Sequence, residues 1–422
     1  MSTNKIRKQL KKPEILCPGG DLEKLKIAIT YGADACYIAG MDYGLRTRAG
    51  NFTEEEMQEA VDFAHTRGAK VYVVANMLTH EGDEVGVEDF FRQLSRQNVD
   101  AVLISDPGLI SICQTVAPDL AIHLSTQASN VNYAALNFWK SEGLERVVLG
   151  REASLAEIRE MNEKTDIELE CFMHGAMCVG YSGRCVLSNH MLLRDANRGG
   201  CAQPCRWFFQ LSEEEEGSPF NPEGSPFCMS AADLSMIEQI PELLEAGIDS
   251  LKIEGRMKTI HYVSTVANVY RKAIDTYFED PENYEYNSEW GEELAKVATR
   301  NMSTGFLLHE PGRTEQSYQD MRSKKNYRFV GKVLDYDETS KIATIQQRNK
   351  FSVGDFVEFY GPGFRHHVQQ VAWLENEDGE RIESCPHPKM LLRMPLEQAV
   401  KRDDLLRLIY DIDEITIKPR KI

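Results

Sequence analysis

The sequence predicts an α/β protein: a (β/α)8 TIM-like barrel with a Cys-rich insertion after strand seven, followed by a small C-terminal β-barrel domain. Three observations carry this. From residue 14 to about 172, seven short apolar runs alternate with amphipathic stretches, and an eighth pair follows at 250–278. Six of the ten cysteines fall within 58 positions, 171–228, where the alternation is interrupted. Beyond about residue 285 helical periodicity gives way to short strands separated by turn signals. A doubly wound open sheet is the competing arrangement, but no Gly-rich dinucleotide fingerprint follows the first strand.

The apolar runs are Ile15–Cys17, Cys36–Ala39, Val71–Ala75, Ala101–Ile104, Ala121–Leu124, Val147–Leu149 and Ile167–Phe172, with Ser250–Ile253 as the eighth. Such runs, rich in β-branched residues, suit parallel strands covered on both faces. Helices are expected between them. Asp21 is placed to cap Leu22–Thr30, and Thr53 with Glu56 forms a capping box for Glu54–Thr66. Others are expected over Val87–Arg96, Pro107–Val116, Tyr133–Glu142, Leu155–Glu163 and Ile260–Phe278. Eight repeats over roughly 250 residues match the size of a barrel.

The insertion, 173–228, is rich in Gly, Cys and Arg, contains a strand-like Trp207–Leu211, and ends in an acidic loop with Glu213 to Glu216 in a row. Residues 1–12 form a basic tail, 13–285 the barrel, 286–326 a connecting segment with one helix at Gly291–Thr299, and 327–422 the β-domain. In the last, Phe329–Tyr336, Ile342–Gln347, Phe356–Phe359, His366–Trp373 and Asp404–Leu408 read as strands.

Lys and Arg total 48 against 66 Asp and Glu, a net charge of −18. That balance argues against a broad nucleic-acid face, because phosphate binding leans on Lys and Arg; a local basic pocket is still compatible with it. No apolar run approaches the roughly 20 residues of a membrane span, and the basic N-terminus has no apolar stretch behind it. A cytoplasmic location is expected, where ten cysteines do not make a disulfide framework.

The sharpest chemical signal is Cys178, Cys185, Cys201 and Cys205, at the spacing C-x6-C-x15-C-x3-C among Gly-rich turns. Four converging thiols suit zinc or a 4Fe–4S cluster. Structural zinc usually shows two tight knuckles and here only one pair is close, which tilts the choice towards iron–sulfur. Cys171 sits inside an apolar strand and reads as core, while Cys228 rivals Cys205 for the fourth position. Polar residues recur where strands end: Arg46 and Arg48 after the second, Asn76 after the third, Asp106 after the fourth, and His123, Ser125 and Gln127 at the fifth. Arg151 and Glu152 follow the sixth, His174 the seventh, and Lys252, Glu254 and Arg256 the eighth. Singly, His123 reads as a core histidine and Arg151–Glu152 as a helix-start ion pair. Together they form a polar ring at the face where barrels carry active sites, suited to a small anion such as a dicarboxylate.

These segments resemble the peptidase U32 family, also called collagenase-like. The resemblance rests on Glu14-Ile-Leu-Cys-Pro-Gly-Gly-Asp, Gly32-Ala-Asp-Ala-Cys-Tyr-Ile, Leu45-Arg-Thr-Arg-Ala-Gly-Asn-Phe, His123-Leu-Ser-Thr-Gln-Ala, the stretch from Glu170 to Ser188, and Leu251-Lys-Ile-Glu-Gly-Arg. It covers residues 13–275 densely. The resemblance is strongest to a tRNA-modifying branch. It implies oxygen-independent hydroxylation of the wobble uridine to 5-hydroxyuridine with prephenate as co-substrate, and a 4Fe–4S cluster on Cys178, Cys185, Cys201 and Cys205. On that reading Arg46, Arg48, His123, Gln127, Arg184, Lys252 and Arg256 bind substrate, and His174 and Glu254 are candidates for proton transfer. The basic tail with Arg365, His366 and His367 would help hold the anticodon stem.

Two other readings stand beside it. The older peptidase label finds no His-Glu-x-x-His zinc site and no Gly-x-Ser-x-Gly elbow. A Cys178–His174 pair is the remaining nucleophile arrangement, and a cluster would consume that thiolate. A scaffold that works only with a second family subunit is the third.

Overall fold

The computed structural model describes residues 11–45, 50–209, 227–317 and 327–410. Eight parallel strands close into a barrel: β1 Glu14–Pro18, β2 Ala35–Ile38, β3 Lys70–Ala75, β4 Ala101–Ile104, β5 Ala121–Leu124, β6 Arg146–Val148, β7 Glu168–Gly175 and β8 Ser250–Ile253. Each pairs with the next, β8 lies between β7 and β1, and the last pairing shuts the ring. Strands β2 and β4 are buried at every position, as continuous Val/Ile/Ala runs require when helices cover one face and the barrel interior the other.

The helices begin where the side chains cap them. The Asp21 carboxylate accepts from Lys24 N at 2.9 Å at the start of α1, Leu22–Thr30. Thr53 and Glu56 form the reciprocal box of α2, Glu54–His65, and Ser154 with Glu157 does the same for α6, Leu155–Lys164. Helices α3 Val87–Arg96, α4 Pro107–Val116 and α5 Tyr133–Ser141 lie between them in sequence. After the insertion the alternation resumes with the short α8, Ile240–Glu245, and the long α9, Ile260–Glu279. The helix expected at 291–299 lies instead at Ser288–Ala295, where Asn287 Oδ1 accepts from Glu289 N at 2.9 Å and so sets the start.

Strand β7 runs three residues further than its apolar pattern. Against β8, Phe172 pairs with Lys252 but His174 pairs with Ile253, so Met173 is an extra residue, a β-bulge. Gly175 ends the strand at φ +108°, where a Cβ would lie 2.3 Å from the Glu254 carbonyl; only glycine permits that approach. The insertion contains a helix not foreseen, α7 Leu187–Leu192. Of the strand expected at Trp207–Leu211, only the bridge Phe209–Phe227 is found among the described residues; Glu213–Glu216 fall outside them.

A second compact unit comprises 292–297 and 327–410, whereas 298–317 belong with the barrel unit, so the expected connecting segment is divided between the two. The second unit is an eight-stranded antiparallel sheet running from Arg365–Gln370 at one end to Arg381–Ile382 at the other. Strand Leu391–Pro395, not foreseen, fills the gap between Ile342–Gln347 and Leu374–Glu375. Its core is Val330, Val333, Ile345, Phe359, Leu392 and Leu406, all buried. Among the described residues no helix is long and apolar enough to cross a membrane.

Candidate active site at the C-terminal face of the barrel

A cavity opens at the carboxyl ends of the strands and is bordered on one side by the insertion. Its inner wall is Tyr37 from β2, Leu103 from β4 and Phe172 from β7. Among the described residues four cationic side chains line it, Arg151, Arg206, Lys252 and Arg256, against one carboxylate, Glu254. The polarity therefore favours an anion.

Each cation is held. Lys252 Nζ donates to Glu170 Oε1 at 2.7 Å and lies 4.8 Å from the Tyr37 ring centroid. Glu170 is fully buried and also meets Arg146, which bridges to Glu14 at 2.8 Å and Glu168 at 2.7 Å. This ion network fills the barrel interior beneath the cavity, where removing one partner would strand another charge. Arg151 stacks on Phe172, 3.7 Å from the ring centroid, with Glu254 at 3.9 Å. Arg256 Nη2 donates to Asn51 Oδ1 at 3.1 Å. Gln127 Oε1 and Arg151 Nε are buried without a hydrogen-bond partner, polar atoms of cavity-lining residues that a ligand would satisfy.

The four cysteines come together at this mouth. Cys178, Cys201 and Cys205 line the cavity. Burial pushes the Cys178 and Cys205 thiols up, and both feel the charges of Cys185 and Cys201, so the four share one neighbourhood. Gly180 N donates to Cys178 Sγ at 3.4 Å, a contact that favours the thiolate there, and Leu187 N donates to Cys185 Sγ at 3.5 Å. Cys228 is buried and donates to the Ser317 carbonyl at 2.6 Å, and the following residue, Met229, donates its N–H to the Cys205 carbonyl at 3.0 Å.

Besides Cys185, three described sequence candidates do not line the cavity. The bulge at Met173 turns His174 out of the barrel, where Nδ1 lies 3.3 Å from the Tyr270 hydroxyl and the ring packs against Tyr262. Burial lowers its pKa to about 3, so it is neutral at pH 7. The Cys178–His174 pair of a thiol protease is accordingly not formed. His123 faces the interior edge-on to Tyr72, at 4.8 Å, and burial with Arg146 nearby depresses its pKa. Arg184 is exposed and does not line the cavity. Gln127, Lys252, Glu254 and Arg256 do line the cavity, and Arg46 and Arg48 lie outside the described residues. The wall residues Tyr37 and Phe172 were missed because aromatics in apolar strands read as core. The signal was their position towards the strand's carboxyl end, Tyr37 one residue and Phe172 three residues before it.

The profile of Peptidase family U32 matches residues 20–317, and that of the Peptidase family U32 C-terminal domain matches 325–407. The chain is 50% identical over 400 residues to tRNA hydroxylation protein P1 of Bacillus subtilis, covering 94% of this chain and 95% of that one. It is 33% identical over 456 residues to tRNA hydroxylation protein P of Escherichia coli, covering 97% and 99%. A protein named collagenase from Porphyromonas gingivalis is 28% identical over 407 residues, covering 93% and 97%. With a barrel and a β-domain each matched by its own profile, and half of all positions shared along nearly the whole length of a relative, the chain belongs to peptidase family U32.

Proposed function

We propose that this protein hydroxylates tRNA, converting the wobble uridine to 5-hydroxyuridine without molecular oxygen and with prephenate as co-substrate. The observation that carries the reading is a cavity lined, among the described residues, by four cations, one carboxylate and three of the four thiols, in a chain 50% identical to a tRNA hydroxylation protein. Arg151 and Arg256 would clamp the two carboxylates of prephenate, and Lys252, fixed by Glu170, would add a third positive contact. Glu254, beside Arg151, is the group of this wall able to take or give a proton. A target base must leave its stack for its ring carbon to be reached, and Tyr37 and Phe172 offer aromatic surface to receive it.

Cys178, Cys185, Cys201 and Cys205 would hold a 4Fe–4S cluster. What supports this is the donor set: four thiols close enough to act electrostatically on one another at one mouth, the soft sulfur ligands such clusters take. Such a cluster supplies one-electron transfer at a potential tuned by hydrogen bonds to its sulfurs.

The test is nucleoside mass spectrometry of tRNA from a deletion strain complemented with wild type or Cys178→Ala. Wild type should restore 5-hydroxyuridine derivatives, and the variant should fail while losing most of about four irons per chain. Unaltered nucleosides in the deletion strain would refute the reading. Activity that appears only on adding a second family member would make this chain a scaffold.

A further inference from the structure

The insertion differs from the rest of the surface in two ways. Among the described residues sixteen large hydrophobic side chains are exposed, and eight of them lie within the thirty positions 179–208. Three are aromatic: Tyr181, Trp207 and Phe208, at 56%, 40% and 49% exposure. The first part of the insertion is also locally basic: from Cys178 to Phe209, ahead of the acidic run Glu213–Glu216, there are four arginines against one aspartate and no lysine or glutamate, a net of three positive charges in a chain of −18.

Sequence neighbours of the aromatics line the cavity. Tyr181 follows Cys178 by three positions and Trp207 directly follows Arg206, and both Cys178 and Arg206 line the cavity. Helix α7 packs on the turn Pro204–Arg206, which joins the two stretches into one rim. Solvent-facing aromatics beside arginines are costly for a soluble chain, and the combination has a specific use. Unstacked bases offer π-faces to aromatic rings while their phosphates offer charge to arginine.

We infer that this rim is a platform for single-stranded RNA, on which the unpaired bases of a hairpin loop stack against Tyr181, Trp207 and Phe208 with phosphates against Arg184 and Arg194. The inference rests on the tRNA reading above and assigns the surface that takes the loop. Duplex RNA, whose bases are already stacked, is not held there.

Fluorescence anisotropy with a labelled anticodon stem–loop and with the stem duplex alone tests it, using the full chain and Tyr181→Ala, Trp207→Ala and Arg184→Glu. Trp207→Ala and Tyr181→Ala should each weaken stem–loop binding about tenfold, with duplex binding unchanged. Arg184→Glu should reduce the slope of log affinity against log salt by about 0.7. Unchanged iron content and melting temperature would show that the exposed substitutions leave the fold intact. A wild type that binds the stem–loop no better than its variants overturns the platform and leaves the tRNA reading standing. A dimer that Trp207→Ala dissociates also overturns it, since the face would then serve a second copy. No RNA binding by wild type overturns it too, and the nucleoside profile then decides separately on the tRNA reading.

Discussion

At the scale of single residues, parity within a strand separates a wall residue from a core residue. Glu170 and Phe172 point into the barrel, and without the bulge at Met173 His174 would follow them. Instead the Tyr270 hydroxyl, which donates to Met173 O and accepts from Met236 N, is left to accept from His174 Nδ1–H. A histidine with a pKa near 3 in the fold and about 6.5 unfolded binds its proton first in the unfolded chain. Its contribution to stability is full above pH 6.5 and is lost as pH falls towards 3, at about 1.4 kcal/mol per unit. In His174→Gln the urea midpoint should fall less steeply between pH 7 and 5 than in wild type. Parallel declines would mean that the ring is charged in the folded protein.

At the scale of elements, the thiol-bearing turn is tied down from a distance. The Glu152 carboxylate, on the loop after β6, accepts from Ser182 N at 2.5 Å and Ser182 Oγ at 2.8 Å. Ser182 is held at φ +48°, a left-handed conformation that serine pays to adopt. Asn197 Nδ2 donates to the Cys185 carbonyl at 3.2 Å, and Arg198 pairs with Asp83 on the loop after β3. Glu152→Ala should loosen the turn by roughly 1–3 kcal/mol. In iron-free reduced protein, Cys178 and Cys185 should then react several-fold faster with a thiol reagent, read by mass spectrometry; equal rates would show that Glu152 does not hold the turn. In the sequence Glu152 had a sufficient local explanation as a helix-start residue, and nothing local connects it to a serine thirty positions on.

At the scale of the whole molecule, the two compact units use charge differently. In the second unit Arg407, with no exposure, reaches both Glu358, at 2.8 Å, and Glu293, and Lys296 meets the same two carboxylates. Burial alone would raise Glu358, but the His366 hydrogen bond and the Arg407 guanidinium outweigh it and hold the carboxyl well below its usual range. The two cations occupy these carboxylates, so the cluster Glu293–Glu358–His366 reads as an ion network fastening 292–297 to the sheet. Arg407→Ala should destabilise the second unit by about 3–5 kcal/mol, seen as faster hydrogen exchange in 292–297 and 327–410. Protection lost equally in the barrel strands would contradict that confinement.

The barrel and the place of its insertion were legible in the sequence, because strand and helix periods and caps are properties of neighbouring residues. Which polar side chains meet was decided only in three dimensions. His123 and His174 went to the interior and to α9, Cys228 to a backbone carbonyl, and Arg151 to the face of Phe172, because a one-residue bulge and the closure of the ring between β8 and β1 set every direction at the mouth. Those are long-range constraints, and no window of sequence contains them.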